Sequence, residues 1–145
     1  MSLNLNLTPE YFILLLLNAN GREKINGKLC FQKEVFLIVK EICPNLDYDL
    51  YFEAYPYGPY SKNLANLLEY LENDSLISIE KNKNSCSYSI TMEGVGRLSQ
   101  VEVCEDVLRK ISNLKRRSSQ LGYEGLLRYV YFNYPEYTEK IRDDN

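Results

Sequence analysis

Histidine and tryptophan are absent from this 145-residue chain, and methionine occurs only twice. Histidine is the side chain whose ordinary pKa lies nearest neutrality, so its absence removes serine and cysteine triads in their ordinary form and the commonest general base. The four cysteines, Cys30, Cys43, Cys86 and Cys104, form no Cys-x-x-Cys pair, and without histidine they make no zinc set of the usual kind. They are expected to be buried free thiols, and no metal or cofactor is expected. Glycine is sparse too, at seven residues, and Gly94-Val95-Gly96 lacks the third glycine of a dinucleotide fingerprint. No phosphate-binding loop occurs, and no close acidic pair stands in an apolar or glycine-rich setting; Asp143-Asp144 reads as solvated tail. An enzyme is therefore not expected. The longest unbroken apolar run, Tyr11 to Leu17, is seven residues, where a membrane span needs about 20. With no basic region leading into a secretory apolar run, the expectation is a cytoplasmic protein without a membrane partner.

What is present fits one domain spanning residues 1–145, long enough to bury a sizeable core without disulfides. Leu3, Leu5 and Leu7 alternate with asparagines, as a short strand or an unstructured lead-in would. Thr8-Pro9-Glu10 combines a hydroxyl cap, a proline at the first helical position and an acid in the first turn, so a helix is predicted from there to Asn18 or Ala19. Gly21 can end it in the left-handed conformation. After Asn26-Gly27 a second helix is predicted from Lys28 to about Ile42, with a wide apolar face and with Lys33, Glu34, Lys40 and Glu41 on the remainder. Cys43-Pro44 stops it. Asp47 to Ala54 alternates and predicts a half-buried strand or extended segment.

Tyr55-Pro56-Tyr57-Gly58-Pro59-Tyr60-Ser61 then predicts a rigid turn delivering a helix, with Ser61 as its cap. Leu64, Leu67, Leu68 and Leu71 make one apolar stripe on that helix, which runs to about Asn73. Ile77–Lys81 and Cys86–Ile90 flank the polar Asn82-Lys83-Asn84-Ser85 as a β-hairpin. Thr91 caps a further helix expected to continue to Lys115-Arg116-Arg117, where basic groups suit the C-terminal dipole. Along it Val101, Cys104, Leu108 and Ile111 form a short seam. Two readings of that seam stand: a homodimer through the helix, or an internal pair with a last helix at Leu121 to Asn133, closed by Pro135.

Helix, helix, extended segment, helix, hairpin is the order of a winged helix-turn-helix domain. Tyr88-Ser89-Ile90-Thr91-Met92-Glu93-Gly94 resembles the end of the second wing strand and the threonine-capped helix after it in prokaryotic winged-helix regulators. Lys28-Leu29-Cys30-Phe31-Gln32-Lys33, Phe36-Leu37, Phe52 and Tyr57-Gly58-Pro59-Tyr60-Ser61 resemble the signature of small uncharacterised prokaryotic winged-helix proteins, as does Tyr134-Pro135-Glu136-Tyr137-Thr138. The same residues are distantly similar to the Panacea domain of SocA-like antitoxins, although Phe31-Gln32-Lys33-Glu34-Val35 departs from that domain's more apolar pattern. The resemblance implies an α+β fold, with a winged helix-turn-helix core at about 8–98 and added C-terminal helices at about 99–138. It also implies a regulatory, non-catalytic role, either DNA-binding transcription regulation or antitoxin-like binding of a protein partner.

For double-stranded DNA the candidate contacts are Lys62, Asn63, Asn66 and Tyr70 on the third helix and Lys81 and Lys83 at the hairpin tip, since asparagine pairs with adenine edges and lysine with guanine or phosphate. Glu69 and Glu72 oppose this, and the chain carries −3 overall from 17 basic and 20 acidic residues. Lys115-Arg116-Arg117, the only basic triplet, is a further possible phosphate contact or an ordinary solvated face. For a protein partner the candidates are Tyr55, Tyr57 and Tyr60, amphipathic rings around a stiff turn; the bland alternative is that these tyrosines pack on the core.

Overall fold

The computed structural model describes residues 7–138 and has an α+β fold. Leu3, Leu5 and Asp143-Asp144 lie outside the described residues. Helix α1 (Pro9–Arg22) keeps regular geometry to Asn18; Ala19 is extended, and Asn20 and Gly21 take left-handed φ values of 58° and 73°. Its start differs from expectation in one respect. The Thr8 carbonyl, rather than its hydroxyl, accepts the first N–H groups, those of Tyr11 and Phe12. Phe12 through Leu17 are all buried, which fits an apolar run with no polar side.

A two-residue strand β1 (Ile25–Asn26) leads into α2 (Lys28–Glu41). Every residue from Phe31 to Val39 is buried, so α2 is the central rod of the molecule. This corrects the expectation that Lys33 and Glu34 face solvent: they are 0% and 5% exposed. Lys40 and Glu41 are half-buried. After a 3-10 turn at Pro44–Leu46, Asp47–Leu50 forms a short helix α3 instead of the predicted strand. Leu46 and Leu50 are buried one helical turn apart, and Tyr51 reverses the chain with φ 54°. Phe52 N–H donates to Asp47 Oδ1 at 3.0 Å, which closes this small unit.

Strands β2 (Glu53–Tyr55) and β3 (Gly58–Tyr60) pair antiparallel about Pro56-Tyr57, so the tyrosine-rich turn is itself a tight hairpin. Gly58 has φ 103°, a conformation that favours glycine, and a Cβ there would lie 3.0 Å from Lys33 Cε, so the lysine would have to give way. Helix α4 (Lys62–Asn73) follows, with Leu64, Leu68 and Leu71 buried as the stripe requires. Strands β4 (Ile77–Lys81) and β5 (Cys86–Ile90) fall at the predicted positions and pair in register Ile77↔Ile90 to Lys81↔Cys86. Strand β1 adds to the other edge of β5, giving a three-stranded sheet in the order β1-β5-β4.

Helix α5 (Met92–Leu98) is capped by Thr91, whose Oγ1 accepts from Gly94 N–H at 3.0 Å and donates to the Ser75 carbonyl at 2.6 Å. It stops at Leu98 and does not continue to the basic triplet. Ser99 folds back on Gly96 through both its N–H and its hydroxyl, and Val101 and Cys104 lie in the following turn. The seam expected from Val101 to Ile111 therefore does not exist as one helical face. Helix α6 (Glu105–Asn133) takes up the rest, interrupted at Gly122, which has φ 73° and ψ −179°. The rest of the first predicted helix and the last predicted helix are consecutive runs of α6, which packs on α1 and α2. Arg117 Nη2 donates to Glu41 Oε1 at 2.8 Å and Tyr129 Oη to Glu41 Oε2 at 2.7 Å, so one carboxylate on α2 holds both runs across the break.

The close approach of α5 to the hairpin passes through one glycine. A Cβ at Gly94 would meet the Leu76 carbonyl oxygen and lie 2.7 Å from Ile90 Cγ1, whereas one at Gly96 would meet nothing within 4 Å. Gly94→Ala is expected to destabilise the protein by about 1–3 kcal/mol through overpacking. Gly96→Ala should instead stabilise it by up to about 1 kcal/mol through helix propensity. Urea unfolding of both variants checks the contrast; equal effects would disprove the packing role of Gly94.

Candidate functional site

The site begins with Ser61, which is 0% exposed and joins β3 to α4. Its Oγ accepts from Leu64 N–H at 2.9 Å as the helix cap and donates to the Leu50 carbonyl. Its backbone is matched by one side chain of α2: Gln32 Nε2 donates to the Ser61 carbonyl at 3.0 Å, and Gln32 Oε1 accepts from Ser61 N–H at 2.8 Å. A primary amide is the side chain that offers a donor and an acceptor side by side, as a neighbouring strand would. Gln32 thus sets where α4 starts relative to α2. Sequence reasoning passed over it, although its position three and four residues before Val35 and Phe36 on the apolar stripe was the available signal.

From that start α4 exposes Lys62, Asn63, Asn66, Glu69, Tyr70 and Asn73. The candidates are not equivalent. Asn63 Nδ2 donates to the Asp49 carbonyl at 2.8 Å and so ties α4 to α3. Among the described residues Lys62 and Asn66 make no side-chain hydrogen bond, and Tyr70 is 57% exposed. Lys81 and Lys83 are exposed on the β4–β5 hairpin, whose loop is closed by Asn82 N–H on the Ser85 carbonyl at 2.8 Å. Lys28, at the start of α2, joins them: it shares a cleft of about 160 Å³ with Lys81, Ala65 and Glu69. Its Nζ also lies 5.7 Å from the Tyr60 ring centroid, a cation–π contact. The structure thus brings a cation of α2 to the junction of α4 and the hairpin, a placement that the spacing along the chain did not reveal.

The basic triplet is not a patch. Lys115 is 3% exposed, with Nζ donating to the Ala19 carbonyl at 2.8 Å and to the Leu17 carbonyl at 3.3 Å. Arg117 is engaged by Glu41, and Arg116 Nη1 donates to Asn113 at 2.9 Å. The side chains point to different places because successive residues on a helix are about 100° apart.

The tyrosine hairpin forms a second surface. Tyr55 and Tyr60 meet with ring centroids 5.4 Å apart, while Tyr57 is 64% exposed and does not pack on the core. With Lys28, Leu29 and Pro56 they line an apolar groove of about 500 Å³. Tyr131 Oη donates to the Pro56 carbonyl at 2.8 Å, which fixes the tip against α6. The cysteines correct an expectation as well: Cys30, Cys43 and Cys86 are half-buried and Cys104 is exposed, all as free thiols. No group of three His, Cys, Asp or Glu side chains among the described residues could hold a metal ion, and no described helix is long and apolar enough to cross a membrane.

Burial shifts Lys33, Glu34 and Lys115 among other ionisable groups. The Lys33 ammonium, which donates to the Leu29 carbonyl at 3.4 Å and faces the Tyr123 ring at 5.0 Å, is lowered to about 8. Lys115 is lowered to about 8 by burial, opposed by the Glu34 and Glu23 carboxylates. Glu34 is raised to about 8 by burial, opposed by Lys115. No protein-family model matches the chain, and no curated protein shows significant similarity to it. The functional reading therefore rests on this geometry.

The signs of the shifts make stability depend on pH. Glu34 is raised in the folded state, so its contribution is full below pH 4.5 and is lost as pH rises to about 8, with a slope of up to about 1.4 kcal/mol per pH unit. Glu34→Gln should flatten the fall in stability between these limits. Lys33 is lowered, so its desolvation cost is present below pH 8 and is relieved as pH approaches 10.5. Lys33→Met should accordingly stabilise the protein at pH 7 and lose that advantage above pH 8. Denaturant titrations across this range test both; parallel profiles for wild type and variants would contradict the assignment.

Proposed function

We propose that this chain is a winged helix-turn-helix DNA-binding regulator. The observation that carries the reading is the placement of an exposed helix face bearing Lys62, Asn66 and Tyr70 directly before a β-hairpin bearing Lys81 and Lys83. The element order α1, β1, α2, α4, β4, β5 and the sheet order β1-β5-β4 support it, because they set a helix for the major groove beside a wing for the backbone. Between α2 and α4, where a short turn would suffice, the chain carries α3 and the β2–β3 hairpin. In this reading α4 enters the groove, Asn66 meets a base edge, and Lys28, Lys62, Lys81 and Lys83 neutralise phosphates.

A second reading has its own observation. The apolar groove beside Tyr57, with rings already held by the hairpin and by Tyr131, suits a protein partner of the antitoxin kind, in which aromatic anchors supply contact area at low entropy cost.

Four lysines bound the electrostatics. If all four touch phosphate, the slope of log K against log salt is about −3.6. Gel retardation at about 50 mM salt should show binding that weakens with this modest slope. Lys83→Ala should lower affinity for every sequence and reduce the slope by about 0.9, whereas Asn66→Ala should relax sequence preference and leave the slope unchanged. Absence of retardation at low salt would sink the DNA reading. Loss of a stoichiometric native-host partner on Tyr57→Ser would then favour the groove.

A further inference from the structure

A cleft of about 310 Å³ opens between α2, α6 and the Glu23–Asn26 segment. Its lining mixes polar and apolar residues. Glu34 and Ser118, 5% and 3% exposed, lie on the floor, and among the described residues Glu34 Oε1 and Ser118 Oγ have no protein partner. Ile25, Cys30 and Tyr123 supply the apolar side. A buried carboxyl oxygen without a donor carries a desolvation cost, and such a cost is offset when a donor enters.

The charge around the cleft indicates which donor. Two carboxylates, Glu23 and Glu34, line it with two ammonium groups, Lys24 and Lys115. Both cations are already engaged. Lys115 donates to the carbonyls of Leu17 and Ala19, and Lys24 is paired with Glu80 at 3.5 Å. The groups left over are the Glu34 carboxyl, which burial keeps largely protonated at neutral pH and which becomes a pure acceptor once it ionises above about pH 8, and the Ser118 hydroxyl, which can act either way. We propose that this cleft is a binding site for a small organic cation, an amidine, guanidine or primary amine on an apolar body. Its head donates to Glu34 and Ser118, and its body lies against Ile25 and Tyr123. A volume near 300 Å³ is at the small end of the range for ligand pockets and suits a compact molecule.

The test uses a pair of probes equal in shape and opposite in charge, benzamidine and benzoate, titrated into the intact protein at about pH 9, where Glu34 is ionised. Binding is followed by calorimetry, by amide shifts of Cys30, Glu34 and Ser118, and by protection of Cys30 from iodoacetamide. Saturable binding of benzamidine is expected, at least about tenfold tighter than benzoate, because a hydrogen bond to a charged group is worth about 1.5–3 kcal/mol. Glu34→Gln should weaken benzamidine about tenfold or more, and Ser118→Ala severalfold. Should Glu34→Gln fail to fold, Ser118→Ala and the preference between probes decide the question. Three results would overturn the proposal: no saturable binding to wild type up to about 10 mM, which leaves a cleft occupied by water only; benzoate binding as well as benzamidine or better; or benzamidine affinity unchanged by the substitutions.

Discussion

A helix enclosed on every side has no solvent face on which to leave its polar residues, and α2 is such a helix from Phe31 to Val39. Each polar side chain in that stretch must find a partner inside the protein or carry a desolvation cost. Gln32 meets the backbone of Ser61, Lys33 meets the Leu29 carbonyl and the Tyr123 ring, and Glu34 stands over a cleft within the field of Lys115. Two turns beyond Glu34, Glu41 receives Arg117 and Tyr129. The polar residues of α2 are therefore the connectors of the fold, and α4 and α6 take their positions from them.

This arrangement separates orientation from affinity. The aim of α4 is set by Gln32 and Ser61, which are buried and uncharged, so salt has little hold on it. The outward charges are few, and Glu69 shares the cleft of Lys28 and Lys81. A surface built in this way presents a well-defined shape with a weak field, and discrimination on it rests on short-range contacts more than on long-range attraction.

Much of the architecture was legible because its signals are local. Ser61 and Thr91 are side-chain caps with acceptor oxygens in place, the leucine stripe of α4 is buried, and both strands of the β4–β5 hairpin lie where alternation put them. The misreadings share a cause: the deciding partner is remote in sequence or the pattern fits two structures. Alternation at Tyr48, Leu50, Phe52 and Ala54 suits a strand, but burial of Leu46 and Leu50 one turn apart suits α3 equally, and the Asp47 side chain fixes the second form by capping Phe52. Helix α5 ends without a glycine or proline after it, through hydrogen bonds of Ser99, Gln100 and Val101 back to its last turn. Lys115-Arg116-Arg117 looked like a patch because charge is visible in sequence and the carbonyls of α1 that bind Lys115 are not. Of the candidate residues, the exposure of Lys62, Asn66, Tyr70, Lys81 and Lys83 could be foreseen from helix and hairpin phase. The contribution of Lys28 depended on the tertiary fold.

The last carbonyls of α1 are held by a lysine up to 98 residues further along the chain. During synthesis α1 leaves the ribosome well before α6 exists, and until then those carbonyls can bind only water. Helix α1 is thus made well before it is finished, and it spends that interval with the apolar surface from Phe12 to Leu17 in need of cover. The order in which the chain is written and the order in which its bonds close run in opposite directions at this one place.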